Sequence, residues 1–143
     1  MSQVSEAMEG FFRTFESNSS RDDGNAAVSQ FADVFMAAGP QGTQAVRAED
    51  FARLVPRRKE LFQSLGHKKT ELVLLREQRL DARFVLATTQ WKMTFVRAEN
   101  IADDIVVDSV YIVDTGGPEP KIVFYLANQD LMKVLKDRGI ANG

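Results

Sequence analysis

Apolar positions in the first part of the chain recur with the period of an α-helix. They form one stripe in the first segment, at Val4, Met8, Phe11, Phe12 and Phe15. Spacings of three and four place these side chains on one helical face, with polar residues on the other. The stripe stops in the Asn-Ser-Ser run at residues 18–20, which is typical of a loop. The pattern therefore predicts a first helix.

A second stripe predicts a second helix that leads into a hairpin. The apolar face of that helix consists of Ala27, Phe31, Val34 and Phe35. Asp22 or Asp23 is expected to cap its N-terminus by accepting from free amide groups. Two glycines surround a proline at residues 39–42, a composition that favours a tight reversal. Residues 34–46 are therefore expected to form a short hairpin.

Residues 48–65 carry the third helical pattern. Its apolar face consists of Phe51, Leu54, Val55, Leu61, Phe62 and Leu65. Pro56 lies inside this pattern, so the helix is expected either to kink or to split in two. Gly66 follows directly and suits the left-handed position that ends many helices.

From Lys69 onward the apolar period changes from 3.6 to 2, which predicts strands at residues 70–76, 84–95, 105–113 and 121–126. The second of these is long, and one side of it consists of Val85, Ala87, Thr89, Trp91, Met93 and Phe95. A turn with the sequence DTGGPEP precedes the fourth strand. A short closing helix is then expected, with Asn128 or Asp130 as its cap and Gly139 as its end.

The third strand is apolar on both sides. Val106, Val110 and Ile112 share one side, and Ile105, Val107 and Tyr111 share the other. A small sheet that is solvated on one face should instead alternate cleanly between apolar and polar residues. Both faces are therefore expected to be covered, one by the helices and the other by a second copy of the chain. This predicts a homodimer through the sheet.

Composition narrows the class of protein. The 143 residues, 44% of them hydrophobic and 27% charged, fit one globular α+β domain over residues 1–143. The net charge is −2 and the sequence has no basic stripe, so no nucleic-acid partner is expected. The basic residues at 53 and 57–59 are expected to form a solvated helix face. There is no cysteine, and neither a signal-peptide pattern nor a long apolar run is present. A cytoplasmic protein without a membrane partner is the expectation.

Three segments carry a resemblance to a known family. They are AVSQFADVFMAAGPQG, the long strand FVLATTQWKMTF, and the closing run SVYIVDTGGPEPKIVFYLANQD. In this order of elements the chain resembles the nuclear transport factor 2-like superfamily, also described as SnoaL-like or cystatin-like. The resemblance spans nearly the whole chain. It implies a conical half-barrel, in which three N-terminal helices pack on a strongly curved, mostly antiparallel sheet around a deep pocket, with a short C-terminal helix.

The resemblance does not choose a function, because the fold holds isomerases, cyclases, dehydratases and non-catalytic binding proteins. Ketosteroid isomerases carry a general-base aspartate in the hairpin, where this chain has Gly39-Pro40-Gln41-Gly42. Glycine cannot move a proton, so the base of that mechanism is missing. No metal is expected, because the chain has one histidine, no cysteine and no acidic cluster. No cofactor is expected either, since the sequence has no glycine-rich phosphate loop.

The acid of that mechanism would fall near Ser109, with Asp108 one residue away. Successive strand residues face opposite sides, so either residue can be the one that faces the pocket. Asp108 shares its side with apolar Val106 and Val110, and burial there would raise its pKa as a catalytic acid requires. An outward carboxylate at an edge or dimer contact is the alternative. The one histidine, His67, follows the helix end and is expected to be exposed.

Two hypotheses for function remain open. The first is a non-catalytic dimeric module that binds a small apolar or amphipathic molecule; the second is an isomerase, cyclase or dehydratase that uses Asp108 or a tyrosine as its acid. A weaker third is a protein-interaction domain that uses the outer face of the sheet. The expected pocket residues are Phe15, Phe31, Phe35, Trp91, Met93, Ser109, Tyr111 and Tyr125.

Overall fold

The computed structural model of the chain describes residues 4–19, 24–97 and 100–141. The helices in these ranges are α1 (Glu6–Ser19), α2 (Gly24–Val28), α3 (Ala48–Ser64) and α4 (Leu131–Asp137). The strands are β1 (Phe31–Gly39), β2 (Gly42–Arg47), β3 (His67–Arg79), β4 (Phe84–Arg97), β5 (Ile101–Asp114) and β6 (Lys121–Ala127). Together they form one six-stranded sheet in the order β2-β1-β6-β5-β4-β3.

The sheet is antiparallel at every pairing except one. β1 and β6 run parallel, whereas β1–β2, β3–β4, β4–β5 and β5–β6 are antiparallel. β4 and β5 are the longest strands, and they pair along their whole length, from Phe84 opposite Asp114 to Arg97 opposite Ile101. The prediction of an α+β chain with a mostly antiparallel sheet is confirmed.

One face of the sheet, which we call the inner face, is set by the alternating row of β4. The predicted row is entirely buried and consists of Val85, Ala87, Thr89, Trp91, Met93 and Phe95. The intervening residues of β4 lie on the opposite, outer face and are only partly buried. Because side chains alternate along a strand, the register with β5 places Ser109, Tyr111 and Val113 on the inner face as well.

Helices α1 and α4 pack on two parts of the inner face. Phe12 of α1 is fully buried, and its ring centroid lies 5.3 Å from that of Tyr111. Leu135 of α4 is also fully buried, in a second cluster with Phe95 and Ile105. Each such side chain stabilises the fold by about 1.5–3 kcal/mol through burial.

The predicted second helix is wrong over most of its length. Helix α2 ends at Val28, and the apolar residues that follow belong to β1. Phe31 and Phe35 are both buried, while Val34 is 55% exposed. Residues four apart share a side of a strand as well as a face of a helix, so this spacing suits both structures. The β1–β2 hairpin itself is confirmed, and the expected caps Asp22 and Asp23 lie outside the described residues.

Helix α3 runs from Ala48 to Ser64 as one element that contains Pro56. The alternative in which proline splits it in two is therefore wrong. Pro56 is exposed, so its ring lies away from the sheet. Of the apolar residues predicted for the inward side of the helix, Phe62 is buried and Phe51 and Val55 are partly buried, whereas Leu54 and Leu61 are exposed.

Two predicted helix ends are confirmed in their geometry. Gly66 follows α3 with a φ of 91°, and its N–H donates to the carbonyl oxygen of Gln63 at 3.0 Å. Gly139 follows α4 with a φ of 74°. Asp130 caps the start of α4, where its carboxylate accepts from the N–H of Lys133 at 3.2 Å.

We expect Gly66→Ala to lower the free energy of unfolding by about 1–3 kcal/mol, because the left-handed backbone strains any side chain. A Cβ atom at this position would also collide with the carbonyl oxygen of Val96. Urea unfolding followed by circular dichroism measures the loss. Gly10→Ala is the matched control: it lies inside α1 with no heavy atom within 4 Å of the added Cβ, and should be neutral or stabilising. Equal stability of the two variants would contradict the assignment.

Candidate functional site

A cavity of about 1090 Å³ lies between the inner face of the sheet and helices α1 and α3. Much of its wall is aromatic, formed by Phe15, Phe31, Phe51, Phe62, Trp91, Tyr111 and Tyr125. Exposed residues of the β1–β2 hairpin, among them Pro40 and Gln41, also line it. The cavity therefore opens to solvent beside this hairpin.

Most of the residues predicted to line a pocket do line this cavity. They are Phe15, Phe31, Trp91, Met93, Ser109, Tyr111 and Tyr125. The exception is Phe35, whose ring centroid lies 4.6 Å from that of Phe31 and 5.7 Å from that of Phe51. Phe35 is therefore a core residue beneath the wall. The part that each of these residues has in binding stays a prediction.

A chain of buried hydrogen bonds crosses the inner face at the cavity. The Trp91 indole N–H donates to Thr89 Oγ1 at 2.8 Å. Thr89 Oγ1 lies 2.9 Å from Ser109 Oγ, and Ser109 Oγ donates to the Tyr111 hydroxyl oxygen at 3.4 Å. The Thr89 hydroxyl also donates to the backbone carbonyl oxygen of Ser109 at 3.0 Å, and either hydroxyl can be the donor between Thr89 and Ser109. Because Ser109 Oγ donates to the Tyr111 oxygen, the Tyr111 proton is left for another acceptor.

Tyr111 is held in its neutral form. Burial raises the pKa of its hydroxyl far above the usual range, and the nearby Tyr125 adds to that rise. The hydrogen bond with Ser109 and the positive charge of Arg58 partly oppose the increase. The two tyrosine rings stack with their centroids 5.1 Å apart. At neutral pH Tyr111 is therefore a fixed hydrogen-bond donor and not a base.

The register of β5 separates Asp108 from Ser109. Ser109 lies opposite Thr89 on the inner face and lines the cavity. Asp108 lies opposite Gln90 on the outer face, where its carboxylate accepts from the Gln90 amide at 3.1 Å. Asp108 borders the cavity wall, but its carboxylate shares the other side of the strand with Val106 and Val110. This placement gives no support to Asp108 as a catalytic acid, and that role stays a prediction.

The other two carboxylates of the wall have partners elsewhere. Glu16 Oε2 accepts from the backbone N–H of Leu72 at 2.6 Å, and Oε1 lies 3.4 Å from the Arg13 guanidinium. Asp130 caps α4 and also accepts from the Gln41 amide at 3.2 Å. Both groups therefore serve to hold the structure at the edge of the cavity.

His67 is less exposed than the sequence suggested. It begins β3 opposite Phe95, is partly buried, and lines the cavity. Its Nε2 lies 2.8 Å from the Thr70 hydroxyl, and its ring centroid lies 5.3 Å from that of Phe95. Burial lowers its pKa, the positive charge of Lys59 adds to this effect, and a hydrogen bond to the backbone of Lys69 opposes it. Pairing with β4 turns the ring inward, a contact that its place after a helix end does not reveal.

Arg58 is exposed, as expected for the solvated face of α3, and it also lines the wall of the cavity. It lines the cavity together with Val55 and Phe62 of the same helix. Its guanidinium carbon lies 5.2 Å from the centre of the Phe62 ring. Arg58 follows Val55 by three residues and precedes Phe62 by four, and residues at these spacings share one helical face. This spacing in the sequence could have indicated that Arg58 lies beside the cavity.

Among the described residues, neither a metal site nor a membrane-spanning helix is found. In residues 4–19, 24–97 and 100–141, no group of three or more His, Cys, Asp or Glu side chains is placed to hold a metal ion. Within the same ranges no helix combines the length and the apolar character that crossing a membrane requires.

Comparison with known proteins places the fold. No protein-family model matches the sequence, and no curated protein matches it. Among solved structures, Aln2 from a Streptomyces species aligns with a TM-score of 0.72 and 11% identity, over 90% of this chain and 91% of that one. An NTF2-like protein with a cystatin-like fold from Novosphingobium aromaticivorans aligns with a TM-score of 0.71 and 9% identity, over 91% and 86%.

A ketosteroid isomerase-like protein from Erwinia carotovora atroseptica aligns with a TM-score of 0.62 and 13% identity, over 87% of this chain and 94% of that one. At such low identity these likenesses establish the fold and not the function. The chain has the NTF2-like, cystatin-like fold that the sequence resemblance predicted.

The lowered pKa of His67 makes stability depend on pH. The folded chain holds this proton less tightly than the unfolded chain, whose histidine has the ordinary pKa of 6.5. The contribution of neutral His67 is thus complete above about pH 6.5 and declines as the pH falls through that value toward the folded-state pKa. We expect urea unfolding to give a smaller free energy at about pH 5.5 than at about pH 7.5.

His67→Gln keeps a hydrogen-bonding side chain that does not titrate, so its free energy of unfolding should fall less over the same interval. Carboxylates titrate in both proteins, and the difference between the two slopes isolates the histidine. Parallel slopes would show that His67 is not buried as described.

Proposed function

We propose that this chain is a non-catalytic, dimeric binding module whose cavity holds a small apolar or amphipathic molecule. The supporting observation is the contrast between the wall and its carboxylates. The wall combines aromatic rings and neutral hydroxyls with the cations Arg58, Lys59, Lys68 and Lys69. Glu16, Asp108 and Asp130 border the cavity, but each accepts hydrogen bonds from other parts of the chain. Such a surface suits binding by burial with a few directing hydrogen bonds.

An acid–base enzyme is the second candidate, and one observation favours it. His67 and Tyr111 line the same cavity, the first able to accept a proton and the second to donate one. A catalytic histidine is commonly oriented by a carboxylate. In the described ranges His67 instead bonds to the Thr70 hydroxyl, and its pKa is lowered mainly by burial. Gly39 also lines the cavity at the hairpin, where an isomerase base would stand. A binding function therefore explains more of the residues that line the cavity than acid–base catalysis does.

The single tryptophan of the chain reports on the cavity directly. Trp91 lines it, so an apolar molecule that displaces water should shift its fluorescence to shorter wavelength. We expect titration with decanol to give a saturable shift. Val55→Phe, which adds bulk to the wall, should weaken binding about tenfold, or roughly 1.4 kcal/mol.

Leu54→Phe is the matched control for this titration. Leu54 is adjacent to Val55 on α3 but is exposed and does not line the cavity. Its variant should bind decanol as the original chain does. A linear, unsaturable response of the original chain would contradict the proposed function.

The outer face of the sheet supports the dimeric part of the proposal. Apolar residues cover it across four strands, at Met36, Leu86, Val106, Val110, Ile112, Phe124 and Leu126. Val106 is 47% exposed and Met36 is 40% exposed. These apolar residues share the face with Gln90, Lys92 and Asp108, and a second copy would cover them with an identical surface. Asp108 and Gln90 would then lie within the contact, bonded to each other.

Light scattering at micromolar concentration should therefore give twice the chain mass of 16.0 kDa. Val106→Glu should reduce it toward the mass of one chain, because symmetry brings two new charges into one apolar contact. Leu80→Glu is the control: Leu80 is equally exposed at 47%, but it lies in the β3–β4 loop. A monomeric original chain would refute the dimer and leave the cavity proposal standing.

A further inference from the structure

The proposed binding function leaves open the chemistry of the bound molecule's polar end. Arg58 supplies the first observation. Its guanidinium lies 5.2 Å from the centre of the Phe62 ring, and both residues line the cavity. Its positive charge also acts on the hydroxyl of Tyr111 across the cavity. The guanidinium is therefore held on an apolar surface that borders the cavity.

Arg58 has no carboxylate partner within the described ranges, since the ion pairs found there join other residues. Arg53, five residues earlier on the helix, differs in this respect, since its guanidinium lies 3.1 Å from the carboxylate of Asp50. A guanidinium offers a planar fork of donors that matches the two oxygens of a carboxylate.

The hydrogen-bond chain supplies the second, independent observation. Its last bond, in which Ser109 Oγ donates to the Tyr111 oxygen, leaves the Tyr111 proton as a donor at the cavity. That donor calls for an acceptor on the bound molecule. The carboxylates of the wall do not compete for either donor, because Glu16 and Asp130 accept from Leu72, Lys133 and Gln41.

We propose that the bound molecule is an apolar or aromatic monocarboxylic acid, whose carboxylate accepts from Arg58 and Tyr111 and whose body lies against Phe15, Phe31 and Trp91. This inference rests on the proposed binding function. Lys59, Lys68 and Lys69 line the cavity together with Arg58, and these four cations favour an anionic head group.

Decanoate and decanol form the test pair, because they share an alkyl chain and differ in the charge of the head group. Titration of Trp91 fluorescence near neutral pH should show decanoate bound about tenfold more tightly than decanol. Arg58→Gln should abolish that preference, so that the variant binds decanoate no more tightly than decanol. Tyr111→Phe should weaken decanoate more than decanol, and added salt should reduce the preference.

Arg57→Gln is the matched control. It removes the same charge from the next residue of α3, which does not line the cavity, and it should keep the full preference for decanoate. Equal affinities for the two probes, or equal losses in both arginine variants, would overturn the carboxylate inference and leave the apolar binding function intact. Failure of both probes to bind would overturn the binding function itself.

Discussion

The buried row of β4 is the constraint on which the rest of the fold depends. Its alternating residues must be covered on the inner face, and two groups of helices do this at the two ends of the strand. Large side chains, such as Phe95 near one end, fill the space beneath the helices. Of this row, Trp91 and Met93 line the cavity, together with Ser109 and Tyr111 of β5.

Thr89 and Ser109 place hydroxyls on the inner face beside the cavity. These hydroxyls would be unfavourable in an apolar interior if they were unbonded. They bond to each other, and Thr89 also accepts from the Trp91 indole and donates to the Ser109 carbonyl oxygen. Ser109 in turn donates to Tyr111, which leaves the Tyr111 proton as a donor. The wall thus combines aromatic surface and neutral hydroxyls with the charged side chains of Arg58, Lys59, Lys68 and Lys69.

Local periodicity predicted the strands well, because the row of β4 depends only on alternation along one segment. It failed at Phe31 and Phe35, where a spacing of four suits a helix and a strand equally, and pairing with β2 and β6 decides between them. The inward position of His67 was also missed, as was the contact of exposed Arg58 with the cavity wall. Both depend on which element lies opposite, and a single sequence does not contain that information. Most of the predicted pocket residues do line the cavity, because the family resemblance and the inward side of β4 are properties of the chain itself.

The glycine at the hairpin shows why this fold does not determine its chemistry. Gly39 lies on β1 beside the cavity, and its φ is not in the left-handed region that favours glycine. A Cβ added there would lie 3.5 Å from the carbonyl oxygen of Ala127, an ordinary van der Waals contact. The backbone would thus accept an acidic residue at the position where related folds carry a base. The lack of a carboxylate is therefore a chemical property of this chain and not a steric requirement. An anion would meet no negative charge at that position, so the glycine that removes a proton acceptor also favours a carboxylate in the cavity.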